Sequence, residues 1–264
     1  MAKAEIGQAL ARAAREGRAA VMPFLVAGDP SPDATVDLAE ACAEGGADLL
    51  EVGWPFSDPI ADGPSIQAAA QRALASGVRR QEVLATCRRI HERTALPVLL
   101  LSYLNPLLAM GDLDPVAEAG LCALVVPDLA LEEHRLLRSA ADALGLALIP
   151  FAAPTTTDRR LGEIGRTVDA DAFVYCVSVM GVTGARQGLP EAALPLLRRA
   201  RQAIQAPLVL GFGISGAQAV SEVRHAADGV IVGSALVDLI EDQGRAAPRA
   251  VAAFVRELVQ AAHR

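Results

Sequence analysis

The chain has 264 residues, of which 52% are apolar and 21% charged, and its formal net charge is −7. That length suits a single α/β barrel, which takes about 250 residues. Its basic residues gather no further than pairs such as Arg79-Arg80 and Arg198-Arg199, which excludes a broad nucleic-acid-binding face.

An Ala/Arg-rich helix over residues 4–15 opens the chain. After it, short leucine-rich or β-branched runs alternate with amphipathic Ala/Leu/Arg segments. Strands are predicted at 20–26, 47–52, 97–101, 121–126, 147–151, 172–177, 207–210 and 229–232. Helices are predicted at 33–44, 65–75, 80–93, 131–144, 157–166, 191–204 and 217–224, and 246–262 closes the chain. Such alternation implies parallel strands joined by right-handed crossovers. Eight units at this length favour a closed (β/α)8 barrel with an extra N-terminal helix over an open sheet. No linker or composition break divides residues 1–264, so one domain is expected.

Cys42, Cys87, Cys122 and Cys176 stand singly, and His91, His134, His225 and His263 have no second ligand at a metal-binding spacing. Neither a disulfide framework nor a metal site is expected. The N-terminus lacks an apolar signal core, and no apolar run approaches about 18 residues, so a cytoplasmic protein is expected.

In (β/α)8 barrels, chemistry sits in the loops at the C-terminal ends of the strands. The second such end is Glu51-Val-Gly-Trp-Pro-Phe-Ser-Asp-Pro-Ile-Ala-Asp62. Glu51 lies among Leu49, Leu50 and Val52, where lost hydration raises a carboxyl pKa toward neutrality. Asp58 and Asp62 follow in a Pro/Gly-rich loop, and two carboxyls in unlike surroundings suit general acid–base work. A structural role in caps or ion pairs is the competing reading for each acid taken alone. Phe24, Tyr103, Phe151, Tyr175 and Phe212 gather at the strand ends, although aromatics make up only 3% of the chain. They suit a flat aromatic ligand or simple packing of the barrel top.

The glycine-rich ends of the last three strands expose backbone N–H groups, which hold an anion without basic side chains. Gly211-Phe-Gly213-Ile-Ser-Gly216 also fits the dinucleotide pattern G-x-G-x-x-G. It falls in the seventh unit, however, and the next strand ends in Gly233-Ser234 with no acid, so phosphate binding on the barrel rim is preferred. The only lysine is Lys3 at the terminus, which excludes Schiff-base aldol chemistry.

These stretches resemble the tryptophan synthase alpha chain family from about Gly7 to the C-terminus. The resemblance rests on Pro23-Phe-Leu-Val-Ala-Gly-Asp-Pro30, Glu51 to Pro64, Gly181-Val-Thr-Gly-Ala185 and Gly211-Phe-Gly-Ile-Ser215. It implies a lyase that cleaves indole-3-glycerol phosphate to indole and glyceraldehyde 3-phosphate. Glu51 is then the acid–base at the carbon centre, Asp62 stabilises positive charge at the indole nitrogen, and Tyr175 sits beside Glu51. Gly184, Gly213, Gly233 and Ser234 would hold the phosphate. Phe24, Leu101, Tyr103, Phe151, Phe212 and Ile231 would wall the indole pocket. Gly181 and Thr183 belong to a lid, and Pro55, Asp58 and Asn105 face a partner. That partner is a beta chain in an alpha2beta2 heterotetramer. No cofactor is implied in this chain, pyridoxal phosphate belonging to the beta chain. Trp54 departs from the smaller aliphatic residue expected after Glu51-Val-Gly, which bears on docking or on the mouth of the barrel. The alternatives are an alpha-like activator of a partner synthase and a free-standing indole-releasing lyase.

Overall fold

The computed structural model describes residues 3–178 and 189–264. Helix α1 (Lys3–Arg15) precedes strand β1 (Ala20–Val26), α2 (Pro32–Glu44) and β2 (Leu50–Gly53). Then come α3 (Pro64–Ala75), α4 (Arg80–Thr94), β3 (Val98–Leu101), α5 (Leu104–Met110), α6 (Asp114–Glu118) and β4 (Leu121–Val125). A 3-10 turn, Leu131–Glu133, leads into α7 (Arg135–Leu144), followed by β5 (Ala147–Ile149), β6 (Phe151–Ala152) and α8 (Asp158–Thr167). The remaining elements are β7 (Val174–Val177), α9 (Ala193–Ala203), β8 (Leu208–Gly211), α10 (Ala217–Val223), β9 (Gly229–Val232), α11 (Ser234–Gln243) and α12 (Ala247–Ala261).

All strand pairings are parallel, in the order β5-β4-β3-β2-β1-β9-β8-β7-β6. The two ends of that order are consecutive in the chain, separated only by Pro150, so the sheet is a nearly closed barrel. Strands β1 to β4 are buried at every position, as parallel strands covered on both faces must be. Among the described residues the eight expected strands become nine, because Pro150 has no N–H to donate and splits the run 147–151. Its carbonyl still accepts from Tyr175 N–H at 2.9 Å, which keeps the seam hydrogen-bonded.

Helix α1 lies across the N-terminal end of the barrel. Lys3 donates from its backbone to the Gly145 carbonyl at 3.1 Å, and its ammonium sits 3.3 Å from Asp169. Deeper in, Arg18 grips Asp48 with two hydrogen bonds of 2.5 and 2.8 Å, and both residues are buried. Asp48 also accepts from Val21 N–H at 2.9 Å, so one carboxylate ties the starts of β1 and β2 together. Register then fixes the layers above: Phe24 pairs with Glu51, Glu51 with Leu99, and Met22 with Ile231.

The structure adds elements that the sequence pattern did not separate. Helices α5 and α6 fill the connection from β3 to β4, and α11 follows β9 directly. The segment 131–144 divides into the 3-10 turn and α7.

Candidate active site

Beside Phe24 and Leu99, Glu51 sits within β2, two residues before its end and only 1% exposed. Its Oε1 is buried without a hydrogen-bond partner among the described residues. Burial, reinforced by the charge of Asp62, pushes its pKa up to about 8. Asp62 lies in the loop between β2 and α3 and is 8% exposed. Burial lifts its pKa to about 6, opposed by a hydrogen bond from the Tyr103 phenol. The Tyr103 oxygen also accepts from Ala61 N–H at 2.9 Å, and Gln67 Nε2 donates to the Asp62 carbonyl at 2.8 Å. The loop carrying Asp62 is therefore tied on both sides of the carboxylate.

Tyr175, on β7, is packed by Phe151 at 4.9 Å, Phe173 at 6.5 Å and Phe212 at 6.0 Å between ring centroids. Its phenol pKa is raised well above 10, first by burial and then by the charges of Glu51 and Asp62. Gly211 makes room for it, since a Cβ there would overlap the tyrosine ring and hydroxyl. Phe212, next in the chain, adopts φ +64, a left-handed conformation rarely taken by a bulky residue. The Ser178 hydroxyl donates to its carbonyl and holds the turn. Gly213 follows at φ +83 with a virtual Cβ 2.5 Å from Pro190, so backbone alone fits there.

These residues surround one cavity of about 700 Å³, counted with its open mouth. Phe24, Glu51, Asp62, Leu101, Tyr175, Phe212, Gly213, Ile231, Gly233 and Ser234 all line it. Tyr103 and Phe151 do not. Tyr103 stands behind Asp62 and stacks on Phe56 at 5.2 Å, while Phe151 buttresses Tyr175 and lines a separate depression near His134 and Arg160. Gly181, Thr183 and Gly184 lie outside the described residues. The pattern did not single out Ile66, Ile214, Ala235 or Asp238 as lining residues. Helical spacing could have found Asp238, four residues after Ser234. Trp54 is half-buried against the core and does not line the cavity.

At the rim, Gly233 is the N-cap of α11 and makes no side-chain cap, so the first N–H groups of the helix face the cavity end without a side-chain acceptor. Among its described lining residues the cavity has no Lys, Arg or His. An anion there would be held by backbone dipoles.

Of the positions expected to face a partner, Asp58 and Asn105 are exposed, whereas Pro55 is buried in the isolated chain. Ile60 (83% exposed) and Leu108 (49%) lie near Asp58 and Asn105 in the chain and are the most exposed large apolar residues described. Among the described residues, no group of three His, Cys, Asp or Glu is arranged to hold a metal ion, and no helix is long and apolar enough to cross a membrane. The four cysteines are free and buried.

A (β/α)8 barrel with two unlike buried carboxyls at the C-terminal mouth has the build of a lyase or isomerase that works by acid–base catalysis. The comparisons with known proteins give the particular family. The family profile described as tryptophan synthase alpha chain matches residues 10–263. The chain is 45% identical over 240 residues to the tryptophan synthase alpha chain of Carboxydothermus hydrogenoformans, covering 90% of this chain and 89% of the relative. It is 46% identical over 253 residues to that of Synechococcus elongatus, covering 94% and 93%. A solved structure of Mycobacterium tuberculosis tryptophan synthase superposes with a TM-score of 0.89 at 33% identity, covering 98% of each chain. A chain from the tryptophan synthase a2b2 complex of Pyrococcus furiosus gives 0.85 at 35% identity, covering 92% of this chain and 99% of that one. This chain belongs to the tryptophan synthase alpha chain family. It is a carbon–carbon lyase of the alpha reaction in tryptophan biosynthesis, cleaving indole-3-glycerol phosphate.

Proposed function

We propose that Glu51, Asp62 and Tyr175 carry out this cleavage while the strand-end glycines and α11 hold the phosphate. The observation that carries the assignment is that Glu51, whose Oε1 is buried and has no hydrogen-bond partner among the described residues, lines the same cavity as Asp62 and Tyr175. With its pKa pushed up to about 8, Glu51 holds a proton at neutral pH, and it gives that proton to indole C3. The indole ring becomes cationic at nitrogen, and Asp62, ionised at neutral pH with its pKa near 6, stabilises that charge. Glu51, now a carboxylate, takes the proton from the glycerol hydroxyl beside the breaking bond. The C–C bond electrons pass to the ring, which leaves as indole, and an aldehyde forms. Glu51 ends protonated, ready for the next cycle.

Phe24, Leu101, Phe212 and Ile231 form the apolar wall for the indole ring, and Tyr103 and Phe151 support it from behind. The phosphate sits at Gly213, Gly233 and Ser234. The chain needs no cofactor for this chemistry, and pyridoxal phosphate belongs to a beta partner. The partner is a tryptophan synthase beta chain in an alpha2beta2 assembly, a reading supported by the similarity to the Pyrococcus furiosus chain. The exposed Asp58, Ile60, Asn105 and Leu108 supply the docking face, and buried Pro55 shapes the loop beneath it.

The test is indole release from indole-3-glycerol phosphate, with and without a beta chain. Glu51→Gln and Asp62→Asn should each lower turnover by about 10²-fold or more, the scale of a positioned acid–base group. Unchanged turnover in Glu51→Gln would overturn the mechanism.

A further inference from the structure

Helix α11 brings a second kind of group into the cavity. Ser234 and Ala235 line it from the first turn, and Asp238 lines it from the turn that follows. Ser234 and Asp238 are four residues apart, so they share one face of the helix with Cβ atoms about 5–6 Å apart. The Asp238 carboxylate makes no hydrogen bond or ion pair with any described residue. Glu241, on the same helix, is by contrast paired with Arg72 at 3.0 Å. Three acids thus line the cavity, Glu51, Asp62 and Asp238, with no described cation among them. The first two have roles in the cleavage, and the third stands on the helix whose N-terminus forms the anion rim.

We propose that Asp238 is a specificity-determining residue that weakens the grip on the phosphate end of the ligand and so favours departure of the phosphorylated product. The proposal rests on the phosphate assignment made above. A phosphate dianion at the first N–H groups of α11 meets the positive end of the helix. Against that attraction stands the charge of Asp238, one turn further along the same helix and lining the same cavity. Like charges at that range in a partly hydrated site change anion affinity by about threefold to tenfold. After cleavage, glyceraldehyde 3-phosphate keeps the dianion but has lost the indole contacts. It is therefore the species whose retention depends most on the rim, and whose release the carboxylate helps most.

The test titrates inorganic phosphate and, separately, indole into the full chain by calorimetry. It compares the wild type with Asp238→Asn, Asp238→Glu and Gly233→Asp. Asp238→Asn should bind phosphate about threefold to tenfold tighter with indole affinity unchanged, and its KM for indole-3-glycerol phosphate should fall without a rise in kcat. Asp238→Glu keeps the charge and should match the wild type. Gly233→Asp places a capping carboxylate on the N–H groups the phosphate would use, and should abolish phosphate binding. If Asp238→Asn leaves phosphate affinity unchanged while Gly233→Asp abolishes it, the phosphate assignment stands and the role of Asp238 is overturned. Tightening by both Asp238→Asn and Asp238→Glu would overturn it too, since charge would not be the cause. If phosphate binds Gly233→Asp as it binds the wild type, the phosphate lies elsewhere and both readings fall together.

Discussion

Glu51 and Asp62 differ in what surrounds them, and in the mechanism we propose that difference divides the chemistry between them. Glu51 has only burial and a neighbouring negative charge acting on it, both of which favour the proton. Asp62 is buried too, but the Tyr103 phenol stabilises its charged form. The proposed mechanism needs Asp62 ionised and Glu51 protonated. The rate of indole release should therefore fall as pH drops through about 6 and again as it rises through about 8. Because the two acids interact, these limbs belong to the pair. Tyr103→Phe removes the hydrogen bond that holds Asp62 down, so its acid limb should move toward neutral pH while the basic limb stays in place. A kcat/KM–pH profile of the variant checks this, and an unmoved acid limb would remove Tyr103 from the positioning of Asp62. The sequence marked both acids, because a Glu among Leu49, Leu50 and Val52 is desolvated wherever the strand goes. It could not mark the tie to Tyr103, which lies far along the chain and depends on how the loop folds back.

At the scale of an element, the end of β8 shows how three successive residues build a wall. Gly211 leaves space for the Tyr175 ring, Phe212 turns through a left-handed conformation, and Gly213 gives bare backbone to the cavity. Gly211→Ala should press a methyl group against Tyr175. A stability loss of about 1–3 kcal/mol is expected from denaturant midpoints, accompanied by lower turnover, as overpacking costs in a tight core. Elements of this barrel were readable where apolar runs had clear boundaries. Residues 20–26 and 229–232 were predicted with the bounds the structure gives them, because turn residues flank both runs. Helix α5 was not, because Asn105-Pro106 reads as a loop while Asp128, distant in sequence, caps the helix by accepting from Leu104 N–H at 2.9 Å. Helix α11 was hidden because it starts immediately after β9, with a glycine as its only cap.

For the whole molecule, stability and chemistry occupy opposite ends of the barrel. The paired Arg18 and Asp48 lie at the N-terminal end and touch nothing in the cavity. Arg18→Met leaves a buried carboxylate without its main partner and should cost about 3–5 kcal/mol in urea unfolding. The kcat of the protein that remains folded should stay at the wild-type value, and a matching loss of kcat would show that the two ends are coupled.

The absence of described cations from the cavity lining also governs how a charged substrate arrives. The chain carries a net charge of −7, and besides the protonated Glu51 two further acids, Asp62 and Asp238, line its cavity. A phosphorylated substrate therefore approaches against the protein's field, and the attraction of the helix dipoles is felt only within the last turn. Added salt screens the distant repulsion more than the contacts at the rim. Stopped-flow measurements should thus show the bimolecular association rate of indole-3-glycerol phosphate rising with ionic strength, opposite to an enzyme that steers its phosphate with lysines and arginines. A rate that falls as salt is added would mean that attraction at the mouth outweighs the field of the chain.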